Sequence, residues 1–367
     1  MNIYEKYNLK KVINASGKMT ILGVSKVSDE VADMQRFAGQ SFFEMAELTA
    51  NTGLYIAEML GTENATVVSS ASAAIAQSVS AVIGRGDDYH TMHPYSERIT
   101  QREIVIPKGH NVNYGTSVEL MVQQGGGQVV EAGYANECSA EQVAMQITDK
   151  TAALLYIKSH HTVQKSMLTV EEMVAVGRVN NVPVIVDAAA EEDLQKYYQA
   201  GADLVIYSGA KAFEGPSSGL VIGRNPYVKW VQSQSKGLGR SMKIGKDNIL
   251  GLVTALERYV AHGAESGESM KQRLAPFIDS LNKLDGIKAD IVQDGAGRDI
   301  YRARVRVDSD KLTAADVVAQ LKSGDTAVYT REYQVNNGII EFDIRSVNEA
   351  ELNEIAKKMT SIVMGEH

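Results

Sequence analysis

The sequence predicts an α/β protein, with a large domain built on a mostly parallel sheet and a small C-terminal α+β domain beside it. Three observations predict this. Between Ala65 and Gly223, short apolar runs alternate with stretches of helical spacing. The runs are continuous, as in "AALLYI" and "VPVIVD", which is the pattern of strands buried on both faces. Beyond Ile300 the strands begin to alternate, as in "IYRARVRVD", which is the pattern of a sheet with one solvated face.

The elements follow in order. Residues 1–45 show little periodicity and read as an irregular or lightly helical segment, expected to pack near the functional site. Residues 46–260 form the large domain and 261–367 the small one. "ELTANTGLYIAEMLG" (47–61) has helical spacing and stops at Gly61. "ATVVSS" is a strand and "SAAIAQSVSAVIG" a helix ending at Gly84. "EIVIP" (strand), "TSVELMVQQGG" (helix) and "QVVEAG" (strand) come next. "SAEQVAMQI" is a helix with a serine cap. "AALLYIKS", "VPVIVDAAA" and "LVIYSG" are strands, separated by the helices "TVEEMVAVGRVNN" and "LQKYYQAG". "GLVIG" is a further short strand. A long helical region covers about 225–285. The tail reads strand ("IYRARVRVD"), helix ("LTAADVVAQLKSG"), two strands and a closing helix. The two strands, "AVYTREYQV" and "IIEFDIRSV", flank "NNG", which predicts a hairpin.

Composition narrows the function. The chain has 367 residues, is 44% hydrophobic and 22% charged, and carries a net charge of -8. An acidic balance with scattered basic residues speaks against nucleic acid or a membrane surface as partner. No run approaches the ~20 apolar residues of a membrane span. The N-terminus "MNIYEKYNLKKVINASG" lacks the apolar core of a signal peptide, so a cytoplasmic protein is expected. Cys138 is the single cysteine, which excludes an internal disulfide and a cysteine-based metal cluster.

Ligands of open α/β sheets bind at the carboxyl ends of the strands, and four such ends carry chemistry. In "VVSSASAA" (67–74) a strand runs through small residues into a helix. Ser70, Ala71 and Ser72 would cradle a phosphate on the helix N-terminus. No GxGxxG or GxxxxGK[ST] motif accompanies them. Asp187 ends a buried strand, where a carboxylate needs a cation or a donor. His160 and His161 follow "LLYIKS", and no third ligand at metal spacing makes them a zinc site. Lys211 lies in "YSGAKAFEGPSSG", between two strands, with Ser208 three residues before it. Together the four describe pyridoxal 5′-phosphate. A phosphate sits on the helix start with Ser208 as a further donor. Asp187 faces the ring nitrogen, a histidine lies near the ring, and Lys211 forms the Schiff base and then moves the Cα proton. His110 and Tyr114, after "EIVIP", share with His160 and His161 the candidacy for stacking on the ring.

The order of phosphate loop, aspartate and lysine resembles fold-type I pyridoxal-phosphate enzymes, the aspartate aminotransferase-like fold. The segments "KVINASG" (11–17), "REIVIPKGHNVNYG" (102–115), "LLYIKSHH" (154–161), "GADLVIYSGAKAFEGPSSGLVIGR" (201–224), "GRSMKIGKDNILGLVTALERY" (239–259) and "TREYQVNNGIIEFDIRSV" (330–347) narrow this. Together they resemble the selenocysteine synthase-like family, typified by L-seryl-tRNA(Sec) selenium transferase, along nearly the whole chain. Two features depart from those transferases: Ala210 stands where they have an acidic residue before the lysine, and their arginine pair reads Arg240 and Lys243. The chain is also shorter and shows no N-terminal domain for a tRNA. The resemblance therefore implies a small-molecule member of the family, a lyase. The implied substrate is a phosphorylated amino sugar acid, D-glucosaminate 6-phosphate, which eliminates water, takes it up again on hydrolysis and so loses ammonia to give 2-keto-3-deoxygluconate 6-phosphate. The alternative it leaves is sulfur or selenium transfer, or a lyase reaction on another amino acid. Arg240 and Lys243 are then expected at the substrate phosphate, Arg345 or Arg331 at the carboxylate, His161 at the substrate and His160 among the catalytic groups. The resemblance further implies a homodimer or higher homo-oligomer with shared active sites.

Overall fold

A computed structural model describes residues 2–295 and 298–365. The chain divides into two units, Val27–His262 and Met1–Lys26 with Gly263–His367. Its strands, in chain order, are β1 (Lys11–Ala15), β2 (Asn64–Val68), β3 (Glu103–Pro107), β4 (Gln128–Ala132), β5 (Thr151–Ile157), β6 (Val184–Asp187), β7 (Leu204–Ser208), β8 (Gly219–Gly223), β9 (Ile287–Gln293), β10 (Tyr301–Val307), β11 (Thr326–Thr330) and β12 (Ile339–Phe342).

In the larger unit seven strands form one sheet, ordered β2-β8-β7-β6-β5-β3-β4. The run from β4 to β7 is parallel, whereas β8 lies antiparallel to both β7 and β2. Successive side chains of a strand point to opposite faces, and here both faces are covered. Leu154, Val186, Val205 and Leu220 join the core on one face, and Leu155, Ile185, Ile206 and Val221 the core on the other. That is why these strands read as unbroken apolar runs. The helix Ala71–Gly84 is buried along its whole length from Ala73 onward, which explains its makeup of Ala, Ser and Val. The helix Met45–Leu60 ends at Gly61, whose φ of +66° suits glycine. Side-chain caps at Ser139 and Thr169 open the helices Ala140–Ala144 and Val170–Asn180.

The smaller unit contains the antiparallel sheet β12-β10-β9 and a separate parallel pair of β1 with β11. Its own core gathers Ile13, Leu274, Phe277, Val305, Phe342, Ile355 and Met359. Three expectations need correction here. Residues 1–45 are not one segment: Met1–Lys26 belongs with the C-terminal unit, because β1 pairs with β11. A strand the sequence did not reveal, β9, sits at the sheet edge. Its charges at Lys288 and Asp290 masked its apolar face. The hairpin around "NNG" does not form. Each of its strands has a better partner, β1 for β11 and β10 for β12. Residues Val335–Asn337 make a 3₁₀ turn closed by Gly338 at φ +75°, and an isolated bridge, Arg331 to Glu341, joins the two sides. The long helical region resolves into Tyr227–Ser233, Leu238–Ser241, Lys246–His262 and Gly267–Leu281, with a 3₁₀ turn at Gln234–Lys236. Among the described residues no helix is long and apolar enough to cross a membrane.

Candidate active site

The parallel strands of the larger unit end on one side, and their ends carry the predicted residues. β2 runs into Ser70, the N-cap of Ala71–Gly84, whose hydroxyl accepts from the Ala73 N–H at 3.0 Å. The first-turn N–H groups of a helix have no intrahelical acceptor, and no acidic residue occupies this first turn. Ser70, Ala71 and Ser72 are half-buried. β8 passes so near that a Cβ on Gly219 would lie 2.4 Å from the Ser70 carbonyl oxygen and 2.9 Å from the Ala71 nitrogen. A bare backbone at 219 is therefore a condition of this cradle.

Asp187 closes β6 with 3% of its surface exposed. Oδ1 accepts the Ala189 N–H at 3.1 Å, and Oδ2 lies 3.5 Å from the Tyr114 hydroxyl. Burial pushes the carboxyl up to about 6, against the pull of the Lys211 ammonium, the Ala189 N–H and the Tyr114 hydroxyl. Lys211 is half-buried in the connection from β7 to β8. That connection is folded tightly on itself: the Gly209 N–H donates to the Ser218 carbonyl and the Gly215 N–H to the Gly209 carbonyl, both at 2.9 Å. A Cβ at Gly209 would meet Ser218 Oγ at 2.0 Å. Ser208 is half-buried and anchored through its N–H to the Ala189 carbonyl.

The histidines separate. His160 and His161 are exposed, with rings 3.9 Å apart, and His161 lies 6.2 Å from the Tyr114 ring. His110 is wholly buried. Its Nε2 lies 3.1 Å from the Val163 carbonyl and its Nδ1 3.4 Å from the Ile157 N–H. The ring meets Tyr156 edge-on, and burial lowers its pKa to about 4. His110, expected at the cofactor, has its nitrogens turned to the Val163 carbonyl, the Gln164 side chain and the Ile157 N–H, so that it braces the end of β3 against β5. Apolar strand ends gave the sequence reading no way to tell a buried histidine from an exposed one.

Arg240 and Lys243 are exposed and line one cavity of about 410 Å³, together with Thr49, Thr66, Gln77 and Gln232. They are not on one helix, since Leu238–Ser241 stops short of Lys243. In the smaller unit, Arg345 stands in the 3₁₀ turn Ile344–Ser346 rather than at a strand end, and Asp343 grips it at 2.9 and 2.8 Å. Arg331 lies 3.7 Å from Glu341 and its guanidinium 5.1 Å from the Tyr333 ring. Sequence reasoning missed Lys158 and Gln164, paired at 2.8 Å beyond β5. It also missed Gly219. A cation directly after "LLYI" was the available signal for the first, and a glycine opening a strand for the last. Among the described residues no group of acidic, histidine or cysteine side chains could hold a metal.

A doubly covered sheet with an anion cradle, a buried carboxylate and a lysine at its strand ends defines a fold-type I enzyme frame. Solved structures agree at the level of fold: an aspartate aminotransferase from Thermus thermophilus covers 98% of this chain with a TM-score of 0.50, and a NifS-like protein 97% with 0.57. The chain belongs to the family of L-seryl-tRNA selenium transferase, which matches residues 54–274. A D-glucosaminate-6-phosphate ammonia lyase of Salmonella typhimurium is 45% identical over 98% of both chains. A solved D-glucosaminate-6-phosphate ammonia-lyase superposes with a TM-score of 0.94, 44% identity and coverage of 100% of this chain and 99% of that one. A 5′-C-glycyluridine monooxygenase-decarboxylase of a Streptomyces species is 33% identical over 98% of this chain and 92% of its own.

Proposed function

We propose that this chain is a pyridoxal-phosphate-dependent ammonia-lyase converting D-glucosaminate 6-phosphate to 2-keto-3-deoxygluconate 6-phosphate and ammonia. The observation that carries the reading is the buried carboxylate of Asp187, acted on by the Lys211 charge, with a helix start that Gly219 leaves uncovered, in a chain alike end to end to an enzyme of that name. The residues fit the cofactor. The N–H groups of the Ala71–Gly84 helix start and the Ser70, Ser72 and Ser208 hydroxyls suit a phosphate. The Asp187 carboxylate, too buried to stand alone, suits a protonated ring nitrogen. Bound pyridoxal phosphate supplies the electron sink that lets a Cα–H bond ionise.

The protein's own groups do the rest. The Lys211 amine receives the Cα proton. Hydroxide leaves C3, and hydrolysis then releases ammonia and the keto acid, so that the net change is isomerisation with loss of ammonia. His160 and His161, whose tilted rings lie 3.9 Å apart just beyond β5, cover the ring from solvent in this reading, with His160 as a proton-transfer group. Arg240 and Lys243 receive the terminal phosphate in their cavity. For the carboxylate, Arg345, held by two bonds to Asp343, is preferred over Arg331, which pairs with Glu341. The protein works in the cytoplasm as a homo-oligomer.

The deciding experiment is the visible spectrum of protein loaded with pyridoxal phosphate, before and after D-glucosaminate 6-phosphate, with ammonia and keto acid measured in parallel. A band that shifts with substrate while both products appear supports the reading. A band indifferent to this substrate overturns the substrate, and no band at all overturns the cofactor.

A further inference from the structure

Tyr114 has no part in the chemistry above, yet its hydroxyl reaches the most buried acid of the larger unit's strand ends. The loop that presents it is a constrained one. The Gly115 N–H donates to Asn113 Oδ1 at 2.9 Å, Gly115 takes a φ of +111°, and the Tyr114 N–H donates to the Thr116 carbonyl at 3.2 Å. The ring packs with the core that includes Val118 and Met121, and the hydroxyl lies 3.9 Å from Met121 Sδ and 3.5 Å from Asp187 Oδ2. With the Ala189 N–H on Oδ1, each carboxylate oxygen faces one donor. The Lys211 ammonium acts on the same carboxylate from the β7–β8 connection, while the Lys158 N–H from β5 takes only the Asp187 backbone carbonyl. The titratable ring of His161 lies 6.2 Å from that of Tyr114.

We propose that Tyr114 is a positioning residue: its hydroxyl, donated to Asp187 Oδ2, keeps the shared proton on the cofactor's ring nitrogen rather than on the carboxylate. A buried carboxylate facing a ring nitrogen has two arrangements with the same proton count, acid against neutral ring and carboxylate against protonated ring. Burial favours the first, because it carries no charge. A hydroxyl that donates stabilises the carboxylate and selects the second, which is the arrangement able to accept electrons. Lys211 serves the same end only while its amine is charged. Tyr114, its pKa driven upward by burial and by Asp187 itself, stays a donor throughout the working pH range. The inference rests on the reading of the site as a pyridoxal-phosphate site.

The test is Tyr114→Phe, which removes one oxygen and keeps the ring. In cofactor-free protein carrying carbon-13 in its aspartate carboxyls, with Asp187 assigned through Asp187→Asn, the Asp187 midpoint is expected to rise by about one pH unit. In protein loaded with nitrogen-15 pyridoxal phosphate, the ring-nitrogen resonance is expected to move from the protonated toward the unprotonated range at constant pH. A midpoint that stays put, or a ring nitrogen that remains fully protonated in the variant, overturns the inference alone. Failure of the wild-type chain to bind the cofactor overturns the site reading and takes the inference with it.

Discussion

Asp187 is placed where an isolated carboxylate is least stable, and its energetics follow. Its folded-state pKa, about 6, lies above the ~3.9 of an unfolded chain. The folded protein therefore binds this proton more tightly. Stability is full below about pH 4, declines as pH rises through about 6, and is flat above. Asp187→Asn in the cofactor-free protein is expected to raise stability at pH 7.5 by about 1–3 kcal/mol and to change nothing at pH 4. Urea melts at the two pH values read this directly, and a destabilised variant at pH 7.5 sinks the claim. Lys211→Ala is expected to abolish the visible band while leaving the melting temperature within a few degrees. Gly219→Ala places a methyl 2.4 Å from the Ser70 carbonyl, which displaces the cradle. Cofactor affinity is expected to fall at least ~10-fold, about 1.4 kcal/mol, measured by titrating the band with pyridoxal phosphate. Asp187 and Lys211 stood out in the sequence because the first ends an unambiguous strand and the second follows one by three residues. The true place of His110 was not, since burial depends on what crosses above the strand end, here the segment that brings Val163 and Gln164 to its ring.

At the scale of elements, the helix Ala71–Gly84 does two tasks with one residue. Ser70 caps it and, in the proposed site, stands in the phosphate cradle. Ser70→Ala is expected to cost about 1 kcal/mol of stability and to weaken cofactor binding as well, whereas Ser139→Ala, at a helix far from the cradle in sequence, is expected to carry a similar stability cost with the cofactor titration unchanged. Equal cofactor affinity in both variants removes Ser70 from the site. Elements whose pattern arises within their own residues were legible: the parallel strands, the capped helices and the glycine stop at Gly61. Elements defined by a distant partner were not. "NNG" between two β-rich runs has every local feature of a hairpin, yet β11 finds β1 and β12 finds β10. The ladder partner lies far away in the chain, and no local propensity records it.

For the whole molecule, the two units raise separate questions of stability. The smaller unit buries Asp343 completely between Arg302 and Arg345, and sets Asp294 against Arg302 at 2.8 Å. The arginines hold the Asp343 carboxyl down at about 2 in spite of burial. Its stabilisation is present above the unfolded value near 4 and is lost as pH falls through about 2. Asp343→Ala takes from buried Arg302 one of its two carboxylates, leaving Asp294, and is expected to cost about 3 kcal/mol. Calorimetry should show the loss, and a loss below 1 kcal/mol contradicts it. The larger unit has a different vulnerability, which follows from the antiparallel insertion of β8. Strand β2 has β8 as its sheet neighbour, and β8 is the last strand of this unit to be synthesised. During translation the start of the phosphate cradle must wait, unpaired, until the chain has passed Gly223. The same event that gives β2 its neighbour draws the lysine loop shut. Cradle and lysine loop thus depend on the same strand, and neither takes its final form before β8 is in place.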